Sequence, residues 1–114
     1  MTTLTLTIHP VAPPEVAQKT RVLLADLWRR NRPVIEERMK VLTSAAATEP
    51  LPDHLHAAAL DVAHKLSGSL GMFGFEQGTV LARELEQLLG NPHPDALRLG
   101  EITKQLREML LPSS

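Results

Sequence analysis

One histidine stands among small residues at spacings that suit a chemical site on a helix. His64 is followed by Ser67, Gly68 and Gly71, and steps of three, four and seven residues return to one face of an α-helix. An exposed imidazole can accept and pass on a phosphoryl group if one ring nitrogen keeps its proton while the other attacks. Small neighbours let a partner's active site approach the ring. The pattern therefore indicates a phosphoryl carrier, with His64 as the phosphorylated residue.

The glycines strengthen this hypothesis because they are unfavourable in a helix. Gly68, Gly71 and Gly74 fall close together, and each glycine inside a helix costs about 1 kcal/mol relative to alanine. That cost is reasonable where side-chain bulk must be excluded. Two further residues lie on the same predicted face, one turn before the histidine. The predicted docking face comprises Leu60, Asp61, Ser67, Gly68 and Gly71.

The helix that carries His64 is predicted to begin at His54, after an N-cap at Asp53, and to end near Phe73. At about 100° per residue, its apolar side chains fall on the face opposite the histidine. These apolar residues are Leu55, Ala59, Val62, Leu66 and Phe73.

The remaining patterns predict an all-α protein, an antiparallel four-helix bundle with an additional or kinked N-terminal helix. Apolar residues at helical spacing indicate helices over 15–31 and 79–89, and a last helix from Pro94. Gly74 and Gly78 are expected to bracket a short turn before the helix over 79–89. Pro33 either kinks one long helix or starts a second one. We expect residues 1–14 to form an N-terminal tail or arm, residues 15–111 the bundle, and residues 112–114 a C-terminal tail.

Composition excludes several classes of function. The 114 residues contain no cysteine, carry a formal net charge of −1 and are only 3% aromatic. The absence of cysteine excludes disulfides and thiolate metal sites and suits the cytoplasm. The balanced charge gives no reason to expect a nucleic-acid partner. No apolar run approaches the length of about 18 residues that a membrane span needs, so we expect no membrane insertion.

The central stretch resembles the signature of histidine-containing phosphotransfer (HPt) domains of two-component phosphorelays. That signature reads histidine, any residue, an apolar residue, lysine, glycine, two small residues and then an apolar-glycine pair. The corresponding segment here is His64-Lys65-Leu66-Ser67-Gly68-Ser69-Leu70, with Phe73-Gly74 after it. In the next helix, Leu85-Glu86 matches the family's leucine followed by glutamate or glutamine.

The resemblance implies roles for several residues. It implies that His64 is phosphorylated, that Gly68 makes room for a receiver domain and that Glu86 orients the imidazole. Ser67 stands where the family has a lysine that neutralises phosphate charge, and Lys65 is the candidate to supply part of that charge. The implied partners are response-regulator receiver domains, or a hybrid histidine kinase as donor. The implied protein is a carrier rather than a kinase. It needs no cofactor of its own, because the receiver contributes Mg²⁺.

Other interpretations remain open at this stage. A degenerate HPt-like adaptor would bind a receiver without carrying phosphate, as the Ser67 departure suggests. A helical module of a larger signalling protein, mediating oligomerisation, is a third hypothesis. His9, His54, His56 and His93 are interpreted as ordinary histidines, and a metal site from His56 with Asp61 or His64 is disfavoured because the spacings do not match a standard ligand pair.

Overall fold

The computed structural model describes residues 14–112, in which four α-helices are connected by short segments. Helix α1 is Pro14–Ala47, α2 is Asp53–Ser69, α3 is Glu76–Leu89 and α4 is Ala96–Leu110, and a 3₁₀ turn, Leu70–Phe73, lies between α2 and α3. The described residues include no β-strand, so the predicted all-α antiparallel four-helix fold is confirmed. The predicted tails fall largely on residues outside the described range.

The chain divides between Arg30 and Asn31 into two compact units, so α1 contributes residues to both. In the described part of the first unit, helix α1 exposes an apolar stripe: Leu23 is 63% and Leu27 is 45% exposed. The sequence pattern predicted this helix correctly. Periodicity alone did not show that these leucines stay exposed.

The second unit contains the helices that position the candidate site, and each of them buries an apolar stripe. Burying a leucine or isoleucine side chain contributes about 1.5–3 kcal/mol, so these stripes hold the helices together. The buried apolar residues are Ile35, Met39, Leu42 and Ala45 from α1; Ala59, Val62, Ala63 and Leu66 from α2; Leu70 from the turn; Leu81, Ala82, Leu85 and Leu89 from α3; and Leu99, Ile102, Leu106 and Leu110 from α4.

Pro33 lies inside α1, which runs as one helix through it. The alternative in which Pro33 starts a second helix is therefore wrong. Pro14 is the first residue of α1, a position where the missing proline N–H costs nothing because it would have no partner within the helix.

Four predicted helix boundaries differ from the structure. Helix α2 ends at Ser69 rather than near Phe73, because Leu70–Phe73 forms the 3₁₀ turn. Asp53 is the first residue of α2 rather than its N-cap, since Pro52 precedes the helix. Helix α4 begins at Ala96 rather than at Pro94. The Asp95 carboxylate caps this helix by accepting hydrogen bonds from the Leu97 and Arg98 N–H groups at 3.1 and 3.3 Å. Helix α3 begins at Glu76, three residues earlier than predicted.

Gly74 and Gly78, which the sequence suggested as brackets of one turn, have different roles. Gly74 adopts a φ of +85° and ends the 3₁₀ turn, a conformation that favours glycine. Gly78 is buried inside α3, where a Cβ would lie 3.1 Å from Leu70 Cδ1 and 3.2 Å from Phe75 Cβ. Close packing rather than turn geometry therefore explains Gly78.

None of the described helices has the length and hydropathy needed to cross a bilayer.

Candidate functional site

Helix α2 presents His64 to solvent because its opposite face is buried. Ala63 and Leu66, on either side of the histidine in sequence, are fully buried, and the His64 side chain is 75% exposed. The helix turns by about 100° per residue, so the apolar stripe determines where the histidine points. The predicted exposure of His64 is confirmed.

Glu86 reaches His64 from the neighbouring helix α3. Leu85 and Leu89 are buried, which places Glu86 at the edge of α3 next to α2. Its Oε2 lies 2.7 Å from His64 Nδ1, and its side chain is 29% exposed. The structure thus brings together the two residues that the family resemblance had paired.

The contact determines which ring nitrogen carries the proton. An ionised carboxylate can only accept a hydrogen bond, so Nδ1–H of His64 donates to Glu86. In the neutral ring the unprotonated nitrogen is then Nε2. Nε2 is the nitrogen available for attack on an electrophile.

Ser67 makes a contact that the sequence did not predict. Its hydroxyl donates to Glu86 Oε1 at 2.7 Å and lies 2.8 Å from the His64 carbonyl oxygen. The sequence predicts Ser67 as a small residue of the docking face that stands at the position of the family's lysine, without a bond to Glu86. The available signal was a hydroxyl three residues after the histidine, but its carboxylate partner is 19 residues away and no local pattern identifies it.

These bonds keep Glu86 in its ionised form. The Ser67 hydroxyl, and next the His64 ring, hold the pKa of Glu86 below its ordinary value, because both hydrogen bonds favour the carboxylate. Partial burial opposes the effect, and the charge of Arg83 adds to it. Glu86 is therefore an anionic acceptor at neutral pH.

Lys65 lies beside His64 in sequence and forms an ion pair with Asp61. Its Nζ is 2.9 Å from Asp61 Oδ2, and the two side chains are 53% and 59% exposed. Surface pairs of this kind contribute about 0.2–1 kcal/mol, so the lysine can leave its partner at small cost. Asp61, predicted as a docking residue, is thus also the partner of Lys65.

The glycines leave open space beside the histidine. A Cβ added to Gly68 would meet nothing within 4 Å, and one added to Gly71 would meet only Thr79 Oγ1 at 3.6 Å. Both residues are exposed. Gly71 belongs to the 3₁₀ turn rather than to α2. Leu60, one turn before His64, is half-buried and lines a shallow groove with Ala57 of α2 and Leu89 at the end of α3.

Of the other described histidines, His56 lines the same shallow groove as Leu60. The His56 ring donates from Nε2 to the Leu89 carbonyl oxygen at 2.6 Å, which ties α2 to the end of α3. His54 and His93 are exposed. In residues 14–112 no group of three or more His, Asp or Glu side chains is placed to hold a metal ion.

Comparisons with known proteins point to one family. The family model described as "Hpt domain" matches residues 26–111. The chain is 33% identical over 81 residues to Protein RcaC of Microchaete diplosiphon; this match covers 68% of the chain but only 12% of that protein. No solved structure matches significantly.

Proposed function

Since this chain belongs to the Hpt domain family, whose members carry phosphoryl groups on histidine in two-component phosphorelays, we propose that His64 is the residue phosphorylated here. The phosphoryl group comes from a phospho-aspartate of a receiver domain, or from a hybrid histidine kinase, and passes to another receiver. We propose the cytoplasm as the location of this transfer. The chain acts as a carrier and not as a kinase in its own right.

The contact between His64 Nδ1 and Glu86 Oε2, at 2.7 Å, is the observation that carries this proposal. In the transfer step Nε2 forms the bond to phosphorus while the bond from phosphorus to the aspartyl oxygen breaks. The ring becomes positively charged as the N–P bond forms. Glu86, already bonded to Nδ1–H, stabilises that charge without moving, which is the advantage of a preorganised acceptor.

In this proposal the receiver domain supplies the cationic groups that stabilise the phosphoryl oxygens. Its Mg²⁺ and its own lysine stabilise the phosphoryl oxygens during an in-line displacement, so we propose that the chain has no cofactor of its own. Lys65 is the candidate on this chain for neutralising phosphate charge. To do so it must first leave Asp61, from which its Nζ is 2.9 Å away.

The receiver docks on the exposed face of α2 around His64. Gly68 and Gly71 leave the space on one side of the ring. Leu60 and Ala57 contribute apolar surface to a shallow groove on the other side, whose lining also includes Asp53 and His56. A small apolar patch beside a polar reactive group suits a transient complex, in which a few apolar contacts give affinity and the polar rim stays solvated.

The test is transfer from a phosphorylated receiver domain, followed as acid-labile phosphate on this chain. We expect wild type to be labelled and His64→Gln to remain unlabelled. His54→Gln is the matched control, because His54 is also exposed and lies in the first turn of the same helix, and it should be labelled like wild type. Absence of label on wild type, or label that persists in His64→Gln, would contradict the proposal.

A second candidate function rests on Ser67, which occupies the position of the family's lysine. In this alternative the chain is a degenerate adaptor that binds a receiver, or that mediates oligomerisation in a larger signalling protein, without carrying phosphate. Binding of the unphosphorylated receiver, measured by calorimetry, combined with no transfer to wild type would favour the adaptor.

A further inference from the structure

We infer that Ser67 is a positioning residue: by holding one oxygen of Glu86, its hydroxyl fixes the other oxygen on His64 Nδ1 and so leaves Nε2 free to attack. The inference rests on the proposed function of His64. It explains why a serine can stand at position 67, where the family has a lysine.

Glu86 forms a bridge between two donors on α2. Oε1 accepts from the Ser67 hydroxyl at 2.7 Å, and Oε2 accepts from His64 Nδ1 at 2.7 Å. A glutamate held at only one oxygen keeps much of its rotamer freedom, whereas two bonds restrict the carboxylate plane. The orientation of the acceptor for His64 therefore depends on Ser67.

The imidazole has little else to hold it. Its side chain is 75% exposed, so packing constrains the ring weakly. The adjacent cation, Lys65, is paired with Asp61 instead of with Glu86. Consequently the position and the protonation pattern of the His64 ring are set mainly by the carboxylate of Glu86.

A purely local role for Ser67 is the alternative to exclude. The hydroxyl has one proton, and it also lies 2.8 Å from the His64 carbonyl oxygen, a local contact that serine often makes inside helices. A carboxylate is the stronger acceptor, because hydrogen bonds to ionised groups are about twice as strong as those between neutral groups. The cross-helix bond to Glu86 is therefore the favoured use of the proton.

Ser69 provides a matched control for the local bond. Its hydroxyl donates to the Lys65 carbonyl oxygen at 2.9 Å, from the same helix and only two residues further on. In the described structure this is the one hydrogen bond of the Ser69 side chain. Ser69→Ala thus removes a local bond without touching the Glu86 bridge.

Loss of the Ser67 hydroxyl has a definite chemical consequence. When Glu86 rotates away, Nδ1–H of His64 loses its hydrogen-bond acceptor, and the Nε2–H tautomer becomes more populated. A ring that carries its proton on Nε2 cannot attack through that nitrogen. One ordinary hydrogen bond corresponds to about a fivefold change in rate. We expect Ser67→Ala to lower the rate of phosphoryl transfer to His64 by about that factor and to increase the population of the Nε2–H tautomer.

The experiment combines two measurements on the ¹⁵N-labelled protein. Long-range ¹H–¹⁵N spectra report the tautomer of the neutral His64 ring and require no partner. Transfer from a phosphorylated receiver gives the rate. Wild type and Ser69→Ala should show mainly the Nδ1–H tautomer and similar rates, because both keep the hydroxyl at position 67. Ser67→Thr, which also has a hydroxyl there, should show the same tautomer. Ser67→Ala should differ from them in both measurements.

Two results would overturn the positioning role. One is a Ser67→Ala variant with the tautomer ratio and the rate of wild type. The other is equal changes in Ser67→Ala and Ser69→Ala, which would assign the effect to local helix bonds. Failure of the proposed function would look different: the tautomer measurement would still respond to Ser67→Ala, while wild type and His64→Gln would both remain unlabelled.

Discussion

Substitutions of Gly68 should raise the thermal stability of this protein and lower its rate of phosphoryl transfer. Gly68 is the penultimate residue of α2, which continues into the 3₁₀ turn, and a Cβ there would meet nothing within 4 Å. Alanine therefore enters without a clash and removes the helix cost of glycine, about 1 kcal/mol. Glutamine, a good helix former, should gain about 0.5 kcal/mol. For a chain of this size these gains correspond to increases in Tm of roughly 4 °C and 2 °C.

Activity should change in the opposite direction. Residues four apart on a helix have Cβ atoms about 5–6 Å apart, so a glutamine at position 68 projects beside the His64 ring. Transfer requires the reacting atoms to approach to about 3–3.5 Å, and a displacement of about 1 Å can cost roughly 100-fold in rate. We expect Gly68→Gln to lower transfer by about 100-fold and Gly68→Ala, which adds one methyl group, to lower it by less than about fivefold.

The assay pairs thermal unfolding, followed by circular dichroism, with the transfer rate from a phosphorylated receiver. Gly100→Gln is the matched control, because Gly100 also lies inside a helix and a Cβ there also meets nothing within 4 Å. It lies on α4, which contributes none of the candidate residues, so it should raise Tm and leave transfer unchanged. Transfer at the wild-type rate in Gly68→Gln would refute the account of the glycine as cleared docking space. A fall in Tm would refute the account of its helix cost.

Substitutions at three further residues have definite expected outcomes. Glu86→Ala should lower transfer about tenfold, because His64 loses its acceptor, while Glu86→Gln keeps an acceptor oxygen and should lower it less. Since folding lowers the pKa of Glu86, its charge stabilises the fold above the ordinary glutamate pKa of about 4.3. The difference in unfolding free energy between wild type and Glu86→Gln should shrink as pH falls from there through the lower folded pKa. Lys65→Ala should change transfer by less than about threefold, because the Lys65 side chain is 53% exposed and solvent screens its charge. Gly78→Ala should lower the unfolding free energy by about 1 kcal/mol through overpacking, without changing transfer per folded molecule.

Opposite outcomes for these substitutions would be informative. A larger loss in Lys65→Ala than in Glu86→Ala would make the lysine the main contributor and the acceptor secondary. A difference between wild type and Glu86→Gln that stays constant down to strongly acid pH would contradict the lowered pKa of Glu86. A stabilised Gly78→Ala would show that Leu70 yields to the new methyl group.

The sequence predicted correctly those features of the site that depend on the geometry of a single helix. A turn of about 100° per residue and the apolar stripe of α2 were enough to place His64 and Gly68 on the exposed face. The all-α class followed from the same periodicity. Glu86 was a different case, because its contact with His64 joins residues 22 positions apart on two helices. Only the family resemblance pointed to that pair.

The wrong predictions concern residues whose type suits more than one structural position. Gly78 was interpreted as a turn residue because glycine permits unusual backbone angles, yet it serves close packing inside α3. Aspartate is favoured both at the N-cap and in the first turn of a helix. The sequence predicted Asp53 as the N-cap, whereas it is the first residue of α2. Leu23 and Leu27 show the limit of periodicity, which identifies an apolar stripe but not whether another part of the chain covers it.

A relay histidine faces two requirements that oppose each other, and the arrangement around His64 meets both. Exposure is required because the phosphoryl donor and acceptor are other proteins, but an exposed ring is poorly oriented by packing. Burial would orient the ring and close it to partners. Here a hydrogen-bonded chain from Ser67 through Glu86 to His64 holds the ring from one side, at 2.7 Å for each bond to the carboxylate. The other ring nitrogen stays available to solvent. Because these groups are at least partly exposed, replacing them should cost little stability, so losses of transfer in such variants can be assigned to chemistry rather than to unfolding.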